Sequence, residues 1–118
     1  MTKTEKRIRF IQKFSRLTRF AIRQGIQFII TAAFRTAEEQ RALYNAGLSK
    51  CDGYNKISNH QEWLAYDIAI IKDGKAVWKR TDGYDSLGNF WLAIGGGWDA
   101  SSEGNLDDPY HFEYNPTE

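Results

Sequence analysis

Phe10, Phe14, Leu17 and Ala21 recur at helical spacing and share one stripe of a helical projection, with Arg9, Lys13, Arg16 and Arg23 toward the other side. A helix of this kind must lay its apolar stripe on another element, so the remainder of the chain has to provide a packing surface. It has 118 residues in which to do so, enough for one domain with a modest core and too few for two. Apolar residues at 42% and only two prolines exclude a disordered or collagen-like chain. Seventeen aromatic side chains (four Trp, six Tyr, seven Phe) supply bulk for the interior. The single cysteine, Cys51, excludes an intramolecular disulfide and a cysteine-rich zinc site. It is read as a free thiol, since no base or orienting group stands near it.

Charge is unevenly spread. Residues 3 to 23 hold eight basic residues against Glu5 alone, and from residue 24 onward there are eight basic and fourteen acidic residues. Two readings stay open for the basic helix, a surface for an anionic partner or a solvated face. No aromatic residues interleave with the cations as base-stacking platforms, so nucleic acid is not the expected partner. No apolar run reaches the roughly 20 residues that cross a bilayer, and Met1 to Arg7 is not followed by the apolar core of a secretory signal. The expectation is a soluble, monomeric protein made in the cytoplasm without a signal peptide.

Gly25 is the expected stop of the first helix, followed by a largely buried strand through Ile26, Phe28 and Ile30. Thr36 and Glu39 have capping-box spacing, which predicts a helix over 38–46 ending near Gly47 and leaves Arg35 at the strand–helix junction. Residues 48–62 read as a long surface connection. A strand is expected from Leu64 to Ile71, with Asp73-Gly74 as hairpin turn and Ala76 to Trp78 returning beside it. A short helix within 84–94, which Gly88 disfavours, a flexible corner at Gly95 to Gly97 and a final strand over Tyr110 to Tyr114 complete the pattern. The sum is a compact α+β domain over 1–118, a small antiparallel sheet with helices packed on it and the basic helix of residues 1–25 against the core.

The only two histidines, His60 and His111, both stand near carboxylates, and Asp67 follows His60 by seven residues. Two imidazoles and one carboxylate are a donor set for Zn2+ that leaves a fourth position open for water or substrate. Asp67 lies inside an apolar strand, where a carboxylate needs a strong partner. Asp108, three residues before His111, is placed to act as general base and acid, and Asp107 and Glu113 compete with it for that role or for orienting a ligand. Ser58 with His60 and Asp67 lacks a nucleophile elbow, so a serine hydrolase is not indicated.

Ser58-Asn59-His60-Gln61-Glu62-Trp63-Leu64-Ala65-Tyr66-Asp67 resembles the Ser-x-His-x-x-Gly-x-Ala-x-Asp motif of peptidase family M15, the zinc D,D-carboxypeptidases and L-alanyl-D-glutamate endopeptidases. Asp108-Pro109-Tyr110-His111-Phe112-Glu113 resembles the second metal motif of that family, and Phe34-Arg35-Thr36 with Gln40, Leu43-Tyr44 and Gly47 resembles its Tyr-Arg-Thr segment and following helix. The resemblance runs through most of residues 20 to 114. It implies a D-Ala-D-Ala metallopeptidase-like (hedgehog/DD-peptidase) fold with His60, Asp67 and His111 as zinc ligands and Asp108 as general base. Arg35 would face the cleft, and Gln40 and Ser58 would contact substrate or support the site by hydrogen bonding. The small size is similar to phage endolysin-type members, which implies cleavage of the peptidoglycan stem between L-alanine and D-glutamate and access to the wall through a partner holin. A D-alanyl-D-alanine carboxypeptidase, and an impaired wall-binding or nucleic-acid-binding module, are the alternatives. Trp63 occupies the position of the family glycine, so either the cleft wall is remodelled or the loop differs enough to impair catalysis.

Overall fold

A computed structural model describes residues 1–99 and 108–115. Helix α1 (Lys3–Gln24) opens in a capping box, in which the Thr2 hydroxyl accepts from the Glu5 amide and the Glu5 carboxylate accepts from the Thr2 amide. It closes at Gly25, whose φ of 70° is the left-handed conformation that ends helices without a Cβ clash. All four residues of its apolar stripe are buried. Helices α2 (Ala37–Asn45) and α3 (Asp82–Ala93) and a 3₁₀ turn (Asn59–Glu62) complete the helical elements among the described residues.

Among the described residues five strands make one antiparallel sheet: β1 (Gln27–Ala32), β2 (Ala65–Lys72), β3 (Lys75–Val77), β4 (Gly97–Asp99) and β5 (Asp108–Glu113), in the order β1-β2-β5-β4. On the edge of β2 away from β1, β5 pairs with residues 65–67 and β3 with residues 70–72. The turn between β2 and β3 has Asp73 and Gly74 both at positive φ, as a two-residue hairpin turn of this twist requires.

Alternation along β2 separates the two faces of the sheet. Tyr66, Ile68 and Ile70 meet the helices, with the Phe14 ring edge-on to Tyr66 at 4.7 Å and to Phe28 at 5.9 Å. Trp91 of α3 meets Phe10 at 5.8 Å and Phe112 at 6.3 Å, and its indole N–H donates to the carbonyls of Gly97 and Glu113, which fixes β4 and β5 against the helix. Asp67 and the residue directly across from it, His111, lie on the other face.

Three expectations need correction. Strand β1 is an edge strand and not largely buried: Ile29 and Ile30 are 52% and 48% exposed, because the described residues place no strand beyond it. The 48–62 connection is not simply superficial, since Ser49, Cys51, Ser58 and His60 are buried within it. The glycines at 95–97 form a close-packed corner: a Cβ on Gly96 would lie 2.0 Å from the Trp91 indole nitrogen, so glycine is there for room. Gly88 has the same cause, with a Cβ falling 2.1 Å from the Trp98 ring, and α3 continues through it.

Candidate metal centre

His60 reaches the sheet through local hydrogen bonding. The Ser58 hydroxyl accepts the His60 amide, and the Gln61 side chain accepts the Ser58 amide and donates to the Gly53 carbonyl. The turn ends at Trp63, whose φ of 59° is left-handed, and the chain then enters β2. The seven-residue spacing from His60 to Asp67 thus encodes a capped 3₁₀ turn, one reversal and the start of a strand. Lys3 pairs with Glu62 at 3.0 Å and Arg7 donates to the Glu62 carbonyl, tying this turn to the start of α1. His111 arrives opposite Asp67 through β5.

The three side chains converge. Asp67 Oδ1 is 3.2 Å from His60 Nε2 and 3.2 Å from His111 Nδ1, and one donor atom from each residue lies within 4.8 Å of the others. His60 Nδ1 is 2.7 Å from the Ala33 carbonyl oxygen, which can only accept, so the ring proton belongs there and the Nε2 lone pair faces Asp67. His111 Nε2 is 2.8 Å from Glu113 Oε1, which likewise turns the Nδ1 lone pair inward. Two lone pairs and a carboxylate oxygen facing one another call for a shared cation. Tetrahedral zinc at 2.0–2.1 Å places neighbouring donors about 3.4 Å apart, close to the two 3.2 Å separations from Asp67 Oδ1, and the nitrogen and oxygen donors suit it. Burial raises the pKa of Asp67; when the facing ring nitrogens of His111 and His60 carry protons in place of a shared cation, their hydrogen bonds and charge outweigh it and hold the carboxyl well below the usual range.

Arg35 completes the cluster. Its Nη2 lies 3.2 Å from Asp67 Oδ2, its Nη1 donates to Gln40 Oε1 at 3.0 Å, and its backbone amide donates to the His60 carbonyl. The arginine therefore pairs with the strand carboxylate Asp67, the oxygen not shared by the imidazoles. Gln40 is fully buried and donates to Ser49 Oγ and to the Cys51 carbonyl, so it stands behind Arg35. Ser58 is also fully buried, as the cap of the 3₁₀ turn. Both side chains are out of contact with solvent, Gln40 bonded to the Arg35 guanidinium and Ser58 to the amide of His60.

Asp108 is partly exposed and lines a cavity of about 270 Å³ together with Arg35, Asp67, His111, Trp78 and Tyr110. Trp78 and Tyr110 meet edge to face at 5.5 Å, and the Tyr110 hydroxyl donates to the Trp78 carbonyl. Sequence reasoning missed Trp78, because only the β2–β3 hairpin brings it here. Glu113 is 2% exposed, its Oε1 lies 2.8 Å from His111 Nε2, and its Oε2 accepts from Asn59 at 2.9 Å. Asp107 lies outside the described residues. At Trp63 the backbone keeps the left-handed geometry suited to glycine, and the indole stacks on Phe34 at 4.9 Å with planes 19° apart. The substitution leaves the 3₁₀ turn and His60 in place.

No protein-family model matches this chain, and no curated protein sequence does. Solved structures match its fold. The L-Ala D-Glu endopeptidase ChiX of Serratia marcescens aligns with a TM-score of 0.63 at 23% identity, covering 86% of this chain and 77% of that one. The D,D-pentapeptidase VanY of a VanB-type vancomycin resistance cassette, in complex with Zn(II), gives 0.63 at 23% identity over 91% and 71%. The LD-carboxypeptidase LdcB gives 0.63 at 16% identity over 89% and 56%. The chain thus has the M15/DD-peptidase-like α+β fold, and its sheet brings His60, Asp67 and His111 into the geometry of a zinc site.

Proposed function

We propose that this protein is a zinc-dependent peptidase that hydrolyses a peptide bond of the peptidoglycan stem, with the L-alanyl-D-glutamate bond as its substrate in the manner of a phage endolysin. The observation that carries the reading is the approach of His60 Nε2 and His111 Nδ1 to one oxygen of Asp67, each at 3.2 Å, with both outer ring nitrogens already engaged. Likeness in fold to ChiX supports the choice of bond. Bound at these three donors, zinc would supply Lewis acidity and a water acidified toward neutral pH.

The chain's own residues do the rest. Asp108, on the cavity wall beside His111, takes the water proton and returns it to the departing amine. Arg35 keeps Asp67 in place and turns its remaining guanidinium donors toward a substrate carbonyl or carboxylate. Gln40 fixes the arginine and Ser58 fixes the turn carrying His60. Trp78 and Tyr110 wall the cavity and restrict what enters. Monomeric action at the wall, reached through a holin lesion, belongs to the same reading.

Incubation of the zinc-loaded protein with defined muropeptides, followed by mass analysis, tests it. Products split between L-alanine and D-glutamate are expected. Loss of terminal D-alanine alone would reassign the chain as a carboxypeptidase, and saturable wall binding with no product would make it a binding module. Asp108→Asn should keep the fold and zinc while turnover falls by about 10²-fold or more; unchanged turnover would remove Asp108 from the proton path.

A further inference from the structure

Helix α1 packs on the sheet face opposite the metal centre, and its remaining surface is organised. Arg9, Arg16, Arg19 and Arg23 follow one another at i, i+7, i+10 and i+14, a cationic line of about 21 Å along the helix. All four are exposed, and none forms an ion pair among the described residues. Beside them Ile8, Ile11 and Ile22 make a second line at i, i+3 and i+14, exposed by 54%, 51% and 71%. Thr18 and Ile22 then form one wall of a groove of about 690 Å³, whose other wall is Phe28, Ile29 and Ile30 of edge strand β1.

We propose that the face formed by α1 and β1 is a docking surface for an anionic lipid bilayer. Charge complementarity and the parallel apolar line select this occupant together. Guanidinium groups match phosphate oxygens in pairs, while the isoleucines beside them enter the boundary between headgroups and acyl chains. A nucleic acid would engage the arginines but leave the isoleucines against sugar and water, with no aromatic residue to stack on a base. A second copy packed through the isoleucines would bring two arginine lines together, which repel. Because the sheet separates α1 from the His60–Asp67–His111 cluster, a docked molecule keeps its cavity open on the side away from the bilayer. The surface uses no metal ligand and stands independently of the peptidase reading.

The test is co-sedimentation of the full chain with vesicles of phosphatidylcholine alone or mixed with phosphatidylglycerol. Binding is expected only to the mixed vesicles, weakening with salt. Arg16→Gln/Arg19→Gln should weaken it by at least about tenfold, at roughly fivefold per cation near the surface. Ile22→Ser, at an exposed position where the fold does not depend on the side chain, should weaken it by about tenfold. No binding to the mixed vesicles, equal binding to both kinds, or indifference to either variant would overturn the proposal. So would a dimer in sedimentation velocity that Ile22→Ser dissolves, or DNA binding stronger than vesicle binding and unaffected by Ile22→Ser.

Discussion

Glu113 Oε1 lies 2.8 Å from Nε2 of His111, and both side chains are almost wholly buried. Its other oxygen accepts from Asn59, the first residue of the 3₁₀ turn that carries His60, so one carboxylate holds the strand ligand and the turn ligand in register. Replacing it by the isosteric amide keeps the shape and removes the charge that orients the imidazole. Glu113→Gln should lower zinc affinity by roughly 10- to 100-fold in competition with a chromophoric chelator. Affinity equal to that of the parent would show that the ring needs no such support. Zinc at about 100 times its dissociation constant should stabilise the parent by about 2.7 kcal/mol, and chelation should remove that gain.

The left-handed backbone at Trp63 sets strain against stacking. A non-glycine residue in this region costs about 1–2 kcal/mol, and the contact with Phe34 returns about 0.5–1.5 kcal/mol. Trp63→Ala loses the stack and keeps the strain, so it should be destabilised by about 1 kcal/mol in urea. Trp63→Gly relieves the strain and adds about 0.5–1 kcal/mol of unfolded-state entropy, so it should stay near the parent. A loss in Trp63→Gly about 0.5–1 kcal/mol larger than that in Trp63→Ala would show that the backbone there is unstrained.

The zinc donors were legible because a carboxylate inside the apolar run of β2 stands out, and two histidines leave little choice. Elements fixed by local chemistry were legible too: the Thr36–Glu39 box starts α2, and Asp73-Gly74 turns the hairpin. What stayed hidden depends on contacts between distant segments. Arg35 was placed at the junction, but its bond to Asp67, 32 residues away, requires β1 and β2 to pair first. Trp78 joins the cavity only after β3 folds back. The exposure of Ile29 and Ile30 follows from sheet order, and an apolar run reads alike on a central and an edge strand.

Gly88 shows how a tertiary contact overrides helix propensity. In the middle of α3, glycine costs about 1 kcal/mol relative to alanine, yet a Cβ there would meet the Trp98 indole at 2.1 Å. Trp98 is held by a hydrogen bond from its Nε1 to the Pro109 carbonyl and is not free to withdraw. Gly88→Ala should therefore destabilise the fold by about 1–3 kcal/mol in denaturant unfolding despite the better helix former. A more stable variant would mean that Trp98 does not occupy this position.

Asp52 gives the loop beside the cluster a dependence on pH. Its Oδ1 accepts amides from Tyr54, Asn55 and Lys56 at 3.0, 2.8 and 2.9 Å. The Lys56 amide first, then that of Tyr54, lowers its pKa to about 2 against a smaller opposing effect of burial, with Asn55 adding to the lowering. The folded value lies below the unfolded value of about 3.9, so the turn's stabilisation is complete above about pH 4 and is lost as pH falls through 2. A carboxyl ¹³C titration should place the Asp52 midpoint near 2, and a midpoint near 4 would show that the amides do not hold it. The adjacent carbonyl of Cys51 anchors Gln40, and through it Arg35, while the Cys51 thiol is fully buried. Asp52→Asn should therefore raise the alkylation rate of Cys51 severalfold at neutral pH, where the parent turn is intact. An unchanged rate would mean that the segment is held by Gln40 and Ser49 without help from Asp52.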